Sequence, residues 1–129
     1  MQTTLAHPLR RWRRPAYALL AVTLLAAVVA AVVDGRADWW VAVAFGLGPD
    51  VALFVGAGRG LEKGRLHPRA VPLYNLLHRF WGPVVLAAVA AAGLVSSAFL
   101  VGALAWAFHI ALDRSVGYGL RTRDGFQRP

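Results

Sequence analysis

The chain has 129 residues, enough for one compact domain, and 58 % of them are hydrophobic and only 16 % charged, against about 25 % charged in an ordinary soluble domain. It contains no cysteine, which excludes disulfides and thiolate metal sites and leaves any metal to His, Asp, Glu or Asn. The net charge of +8 would suit nucleic acid, but its distribution excludes that partner and favours a lipid bilayer. Arg10, Arg11, Arg13 and Arg14 precede the first apolar run, Arg59, Lys63, Arg65 and Arg69 share one loop, and Arg121, Arg123 and Arg128 lie in the tail. Basic clusters alternating with long apolar stretches are what the positive-inside rule predicts.

Residues 1–14 read as a basic cytoplasmic arm, poorly ordered or lying on the headgroups, with Trp12 as an interface anchor. Helix 1 is predicted over Pro15–Val33, with Pro15 in the first turn, where its missing N–H costs nothing. This run exceeds the about 7–15 residues of a signal-peptide core, and further apolar segments follow, so a retained helix is expected. Residues 34–38 form a turn, and Trp39 and Trp40 suit the opposite interface. Helix 2 is predicted over Asp38–Ala57, broken near Gly48 because Pro49 removes a helical hydrogen bond. Asp50 then falls in the first turn of a second half-helix, whose dipole favours a carboxylate. Gly58–Arg69 is a basic loop containing His67.

Helix 3 is predicted over Ala70–Leu94, with Pro72 in its first turn and a bend at Pro83. Residues 93–97 turn the chain, and helix 4 runs over Ala98–Val116, capped by Gly117-Tyr118-Gly119. The short polar tail covers 121–129. The expected fold is thus all-α: a four-helix transmembrane domain over 15–120, with both termini on the cytoplasmic side.

Phe80 to Leu112 contains no acid, arginine or lysine. The stretch is longer than the about 20 residues one crossing needs and shorter than the about 40 that two need. Ionisable flanks are therefore drawn to bilayer depth, where they point to function by default. Following the topology, Asp50 lies in the inner half of helix 2. Asn75 and His78 lie one to two turns into helix 3, and His109 and Asp113 near the inner end of helix 4. Asn75, His78 and Arg79 share a helix face at i, i+3, i+4, as do His109 and Asp113. Imidazole and carboxylate together suit Zn, Mn or Fe. Two His and one or two Asp leave a position for water, which a divalent ion activates as a nucleophile. Asn75 would orient a ligand, and Arg79 or Arg114 would bind a phosphate with its fork.

Two other readings stay open. The His and Asp side chains could pair with each other, and Asp50 with Arg79 or Arg114, as a purely structural network. Ionisable groups beside a broken helix are also a transport signature, and so few helices would then act as a homo-oligomer. His7 and His67 read as solvated; Trp106 and Tyr74 read as packing or interface groups.

Gly48-Pro49-Asp50, Tyr74-Asn75-Leu76-Leu77-His78 and the long run from His109 through Asp113-Arg114-Ser115-Val116-Gly117-Tyr118-Gly119-Leu120 resemble the domain-of-unknown-function family 4260. That resemblance covers about Phe45 to Phe126 and implies a small integral membrane protein of the bacterial inner membrane with no established activity. The chain departs from the family pattern in its longer Gly58–Arg69 loop and in His78-Arg79-Phe80, where members carry His-Thr-Tyr. A more distant similarity, in the order Asp50, His78-Arg79, His109/Asp113, is to membrane-bound metal-dependent hydrolases of the phospholipase-like type. It implies metal-dependent hydrolysis, with Asp50, His78, His109 and Asp113 as ligands and Asn75 and Arg114 assisting.

Overall fold

Three apolar runs become helices long enough to cross a membrane: Arg11–Val33, Trp39–Gly56 and Ala98–Val116. They belong to a computed structural model that describes residues 8–58 and 60–128. His7, the rest of 1–7 and Arg59 lie outside the described residues. Helix α1 covers Pro8–Val33. It starts upstream of the expected Pro15, taking in the arginines predicted to form a separate arm. Arginine is a good helix former, and the one hydrogen bond that Pro15 removes would have ended on the carbonyl of Arg11, which is exposed.

Helix α2 (Trp39–Leu47) passes through a single 3-10 turn at Gly48–Asp50 into α3 (Val51–Gly56). The expected break at Pro49 is therefore present, as a tightening rather than an interruption. The predicted helix over Ala70–Leu94 is two helices, α4 (Val71–Leu77) and α5 (Trp81–Ala91), parted at residues 78–80. A continuous helix would bring the Pro83 ring against the carbonyl of Arg79 and lack the bond between them. Breaking at His78 instead puts Pro83 in the first turn of α5, where a missing N–H is harmless. With 11 residues, α5 is shorter than the about 20 residues of a full crossing. Among the described residues three helices of spanning length thus stand where four were expected.

Helix α6 (Ala98–Val116) is central and packs against α1, α2 and α5. Its buried positions Gly102, Ala103, Ala105 and Ala111 are small, which lets neighbouring helices approach closely. One apolar core joins Val28, Ala37, Val41, Val101 and Ala105; a second joins Ala52, Leu66, Ala70, Val71 and Tyr74. Leu19, Val22, Val29, Phe54 and Val55 point outward, forming an apolar surface that suits lipid rather than water. Among the described residues there is no β-strand. The tail turns back through an Arg121–Gln127 bridge and reaches the basic loop by Leu66 N–H donating to the Gly125 carbonyl at 2.9 Å.

Candidate metal centre

Two helix breaks and one intact helix bring four side chains to one point. Asp50 closes the 3-10 turn before α3, and its carboxylate makes no capping hydrogen bond, which leaves it available. His78 sits at the C-terminal end of α4 with φ −103° and ψ 19°, so its direction is set by the break. His109 and Asp113 lie one turn apart on α6. The ligand atoms of Asp50, His78, His109 and Asp113 all fall within 4.8 Å of one another.

The separations are specific. His78 Nε2 is 3.5 Å from Asp50 Oδ1 and 3.4 Å from Asp113 Oδ2. His109 Nε2 is 3.4 Å from Asp50 Oδ1 and 3.5 Å from Asp113 Oδ2, and the two Nε2 atoms are 3.2 Å apart. A tetrahedral ion with bonds of about 2.0–2.1 Å requires ligand–ligand edges of about 3.3–3.4 Å.

Hydrogen bonds on the far side of each ring fix what faces inward. His78 Nδ1 is 2.8 Å from the Tyr74 carbonyl and His109 Nδ1 is 2.8 Å from the Gly46 carbonyl. A carbonyl oxygen only accepts, so both Nδ1 atoms carry hydrogen and donate. In the neutral rings both Nε2 atoms are then bare lone pairs. Two lone pairs and two carboxylates converging at this spacing repel unless protons or a metal cation lie among them, so the same contacts serve His–Asp pairing or metal binding. A carbonyl that orients the far side of an imidazole is also the usual outer support of a metal-binding His. Both carbonyls come from the last turns of α2 and α4; that of Tyr74 also accepts the backbone N–H of His78 at 3.0 Å. The imidazoles are buried, while the side chains of Asp50 and Asp113 keep 37 % and 23 % exposure, so the carboxylate side faces the surface of the chain.

The other two expected site residues do different work. Asn75 was predicted to share a face with His78, but the helix ends between them. Its Nδ2 donates to the Arg121 carbonyl at 3.1 Å, and its Oδ1 accepts from Arg121 N–H at 2.7 Å. Asn75 therefore pins the tail rather than orienting a ligand. Arg114 Nη2 donates to the His78 carbonyl at 3.0 Å, holding the break from outside. Among the described residues neither Arg79 nor Arg114 pairs with Asp50, so the arginine–aspartate network considered from the sequence is not formed.

Trp106 Nε1 donates to the Leu77 carbonyl at 2.7 Å, and the Tyr74 ring stacks on His78 at 3.9 Å. Tyr74 and Trp106 thus pack, as expected, but against the ligand-bearing break itself. Asn75→Ala is expected to destabilise the protein by about 1–3 kcal/mol, since two part-buried hydrogen bonds worth about 0.5–1.5 kcal/mol each are lost, with metal content unchanged. Thermal unfolding alongside elemental analysis checks this; metal loss without destabilisation would restore Asn75 to the site.

No curated protein and no solved structure matches the chain, so the similarity to metal-dependent hydrolases rests on motif order alone. A family model does match, over residues 17–129, and its description is Domain of unknown function (DUF4260). A match across most of the length, taking in all four converging ligands, means that the chain belongs to the DUF4260 family.

Proposed function

We propose that this chain is an integral membrane protein that holds one divalent metal ion between Asp50, His78, His109 and Asp113. The observation that carries the reading is the set of five edges of 3.2–3.5 Å among four acceptor atoms. Zinc fits best, because it takes mixed nitrogen and oxygen ligands tetrahedrally at these lengths, whereas Mn and Fe favour higher coordination. The same reading has four crossings of a bacterial inner membrane, the third made by α4 and α5 together. Both termini then face the cytoplasm, supported by the three basic clusters.

The activity proposed for the site is metal-dependent hydrolysis. A bound divalent ion lowers the pKa of a coordinated water towards about 7. The protein's part is to hold the imidazoles rigidly through Tyr74 and Gly46 and to keep the carboxylates on the open side, where one can yield a position and accept a proton. A second reading, ion transport by an oligomer, is favoured by one observation: the 3-10 turn at Gly48–Asp50 and the break at residues 78–80 both supply ligands, as the discontinuous helices of transporters do.

Elemental analysis of the detergent-purified protein is expected to return one zinc per chain. Zinc at about 1,000 times its Kd is expected to stabilise the fold by about 4 kcal/mol, read as a higher Tm that a chelator reverses. A folded protein with no metal and no response to zinc would sink the proposal. Zinc flux into proteoliposomes, abolished in Asp50→Asn, would select transport over hydrolysis.

A further inference from the structure

A second polar feature lies beside the metal centre and is not used by it. Where α1 and the end of α6 meet, a cavity of about 410 Å³ is lined by four arginines, Arg13, Arg14, Arg114 and Arg128. Among the described residues none of the four forms an ion pair with a carboxylate. Like charges around one cavity repel each other and attract an anion.

Arg14, though exposed, and the half-buried Arg114 both lie close to the backbone that follows α6. A β-carbon at residue 117 would lie 2.5 Å from Arg14 Nη2, and one at residue 119 would lie 2.8 Å from Arg114 Nη1. Two glycines therefore let the ends of two guanidinium groups approach the backbone after α6 closely. Tyr17 and Phe80 stack at 6.3 Å with their rings 6° from parallel and give the same cavity an apolar wall.

The geometry points to a binding site for a phosphate ester, with the forks of Arg13, Arg14 and Arg128 on the phosphate oxygens, Arg114 adding charge from its place on the His78 carbonyl, and the Tyr17–Phe80 wall beside the uncharged remainder. Planar guanidinium forks match phosphate two bonds at a time, and the volume is in the range of small-ligand pockets, about 300–1,000 Å³. Arg13 and Arg14 immediately precede the apolar part of α1, at the level where phospholipid headgroups lie. A lipid headgroup and a free phosphate share this chemistry. The inference does not depend on the metal, although Arg114 touches both sites.

The test is native mass spectrometry of the detergent-purified full chain, with and without chelator, titrated with phosphatidylglycerol, diacylglycerol and inorganic phosphate. One phosphatidylglycerol is expected to bind at least tenfold more tightly than diacylglycerol, in chelated protein as well. Arg14→Gln is expected to weaken it at least tenfold while metal content stays at the wild-type level. Arg13→Gln, at an exposed helical position, gives the same direction should Arg14→Gln misfold. Competition by inorganic phosphate would identify a free phosphate as sufficient; its failure to compete would identify the lipid headgroup. Equal binding of diacylglycerol by the wild type, or unchanged phosphatidylglycerol binding in the folded arginine variants, would overturn the proposal. Loss of binding on chelation alone would overturn its independence from the metal.

Discussion

His109→Ala is expected to lose zinc affinity by at least about 100-fold. Loss of an outer-support partner alone costs about 10–100-fold, and this substitution removes a ligand as well. His109 contributes three of the five close edges, to Asp50, Asp113 and His78, so three ligands and a gap remain. The change also leaves the Gly46 carbonyl without the Nδ1–H it accepts at 2.8 Å. At about 1.4 kcal/mol per tenfold, the affinity change corresponds to about 2.7 kcal/mol. Isothermal titration of chelator-stripped protein with zinc reads it directly, and His78→Ala is expected to behave alike. Retention of one zinc per chain by both variants after the same dialysis would refute the four-ligand assignment.

Gly82→Ala is expected to destabilise the protein by about 2–6 kcal/mol, against the sign that helix propensity suggests. In an exposed helix the change would stabilise by about 0.5–1 kcal/mol. Here a β-carbon on Gly82 would collide with Cη2 and Cζ2 of Trp106. The indole cannot retreat freely, because its Nε1 donates to the Leu77 carbonyl. Overpacking costs about 1–3 kcal/mol, and freeing the Leu77 carbonyl costs about 1–3 kcal/mol more. Since Leu77 directly precedes His78, metal affinity is expected to fall as well. Thermal unfolding in detergent and zinc titration check both effects; an unchanged Tm would show that the indole moves without consequence.

Much of the site was legible in the chain because it follows from membrane length and charge. Ionisable residues flank an apolar stretch of the wrong length for whole helices, which marked His78, His109 and Asp113, and the break at Pro49 with the topology put Asp50 at the same depth. Their convergence to within 4.8 Å agrees with that reading. The roles of Asn75 and Arg114 were not legible, because both depend on where a helix stops. One more turn of α4 would have put Asn75 beside His78; instead it binds the tail at Arg121. The second-sphere acceptors were also hidden, since backbone carbonyls of Tyr74 and Gly46 have no signature in residue type.

By itself the sequence determined the helical class, the apolar runs, the irregularity at Pro49, the cap at Gly117 and the four side chains that could hold a metal. These depend on hydrophobic run length, proline's missing donor and glycine's access to positive φ, all local properties. Tertiary structure decided that the third helix breaks at residues 78–80, that α6 is the shared partner of α1, α2 and α5, and that the two imidazoles present bare Nε2 atoms to one point. Those outcomes depend on which carbonyl meets which side chain across helices, and that pairing is set by packing between segments far apart in the chain.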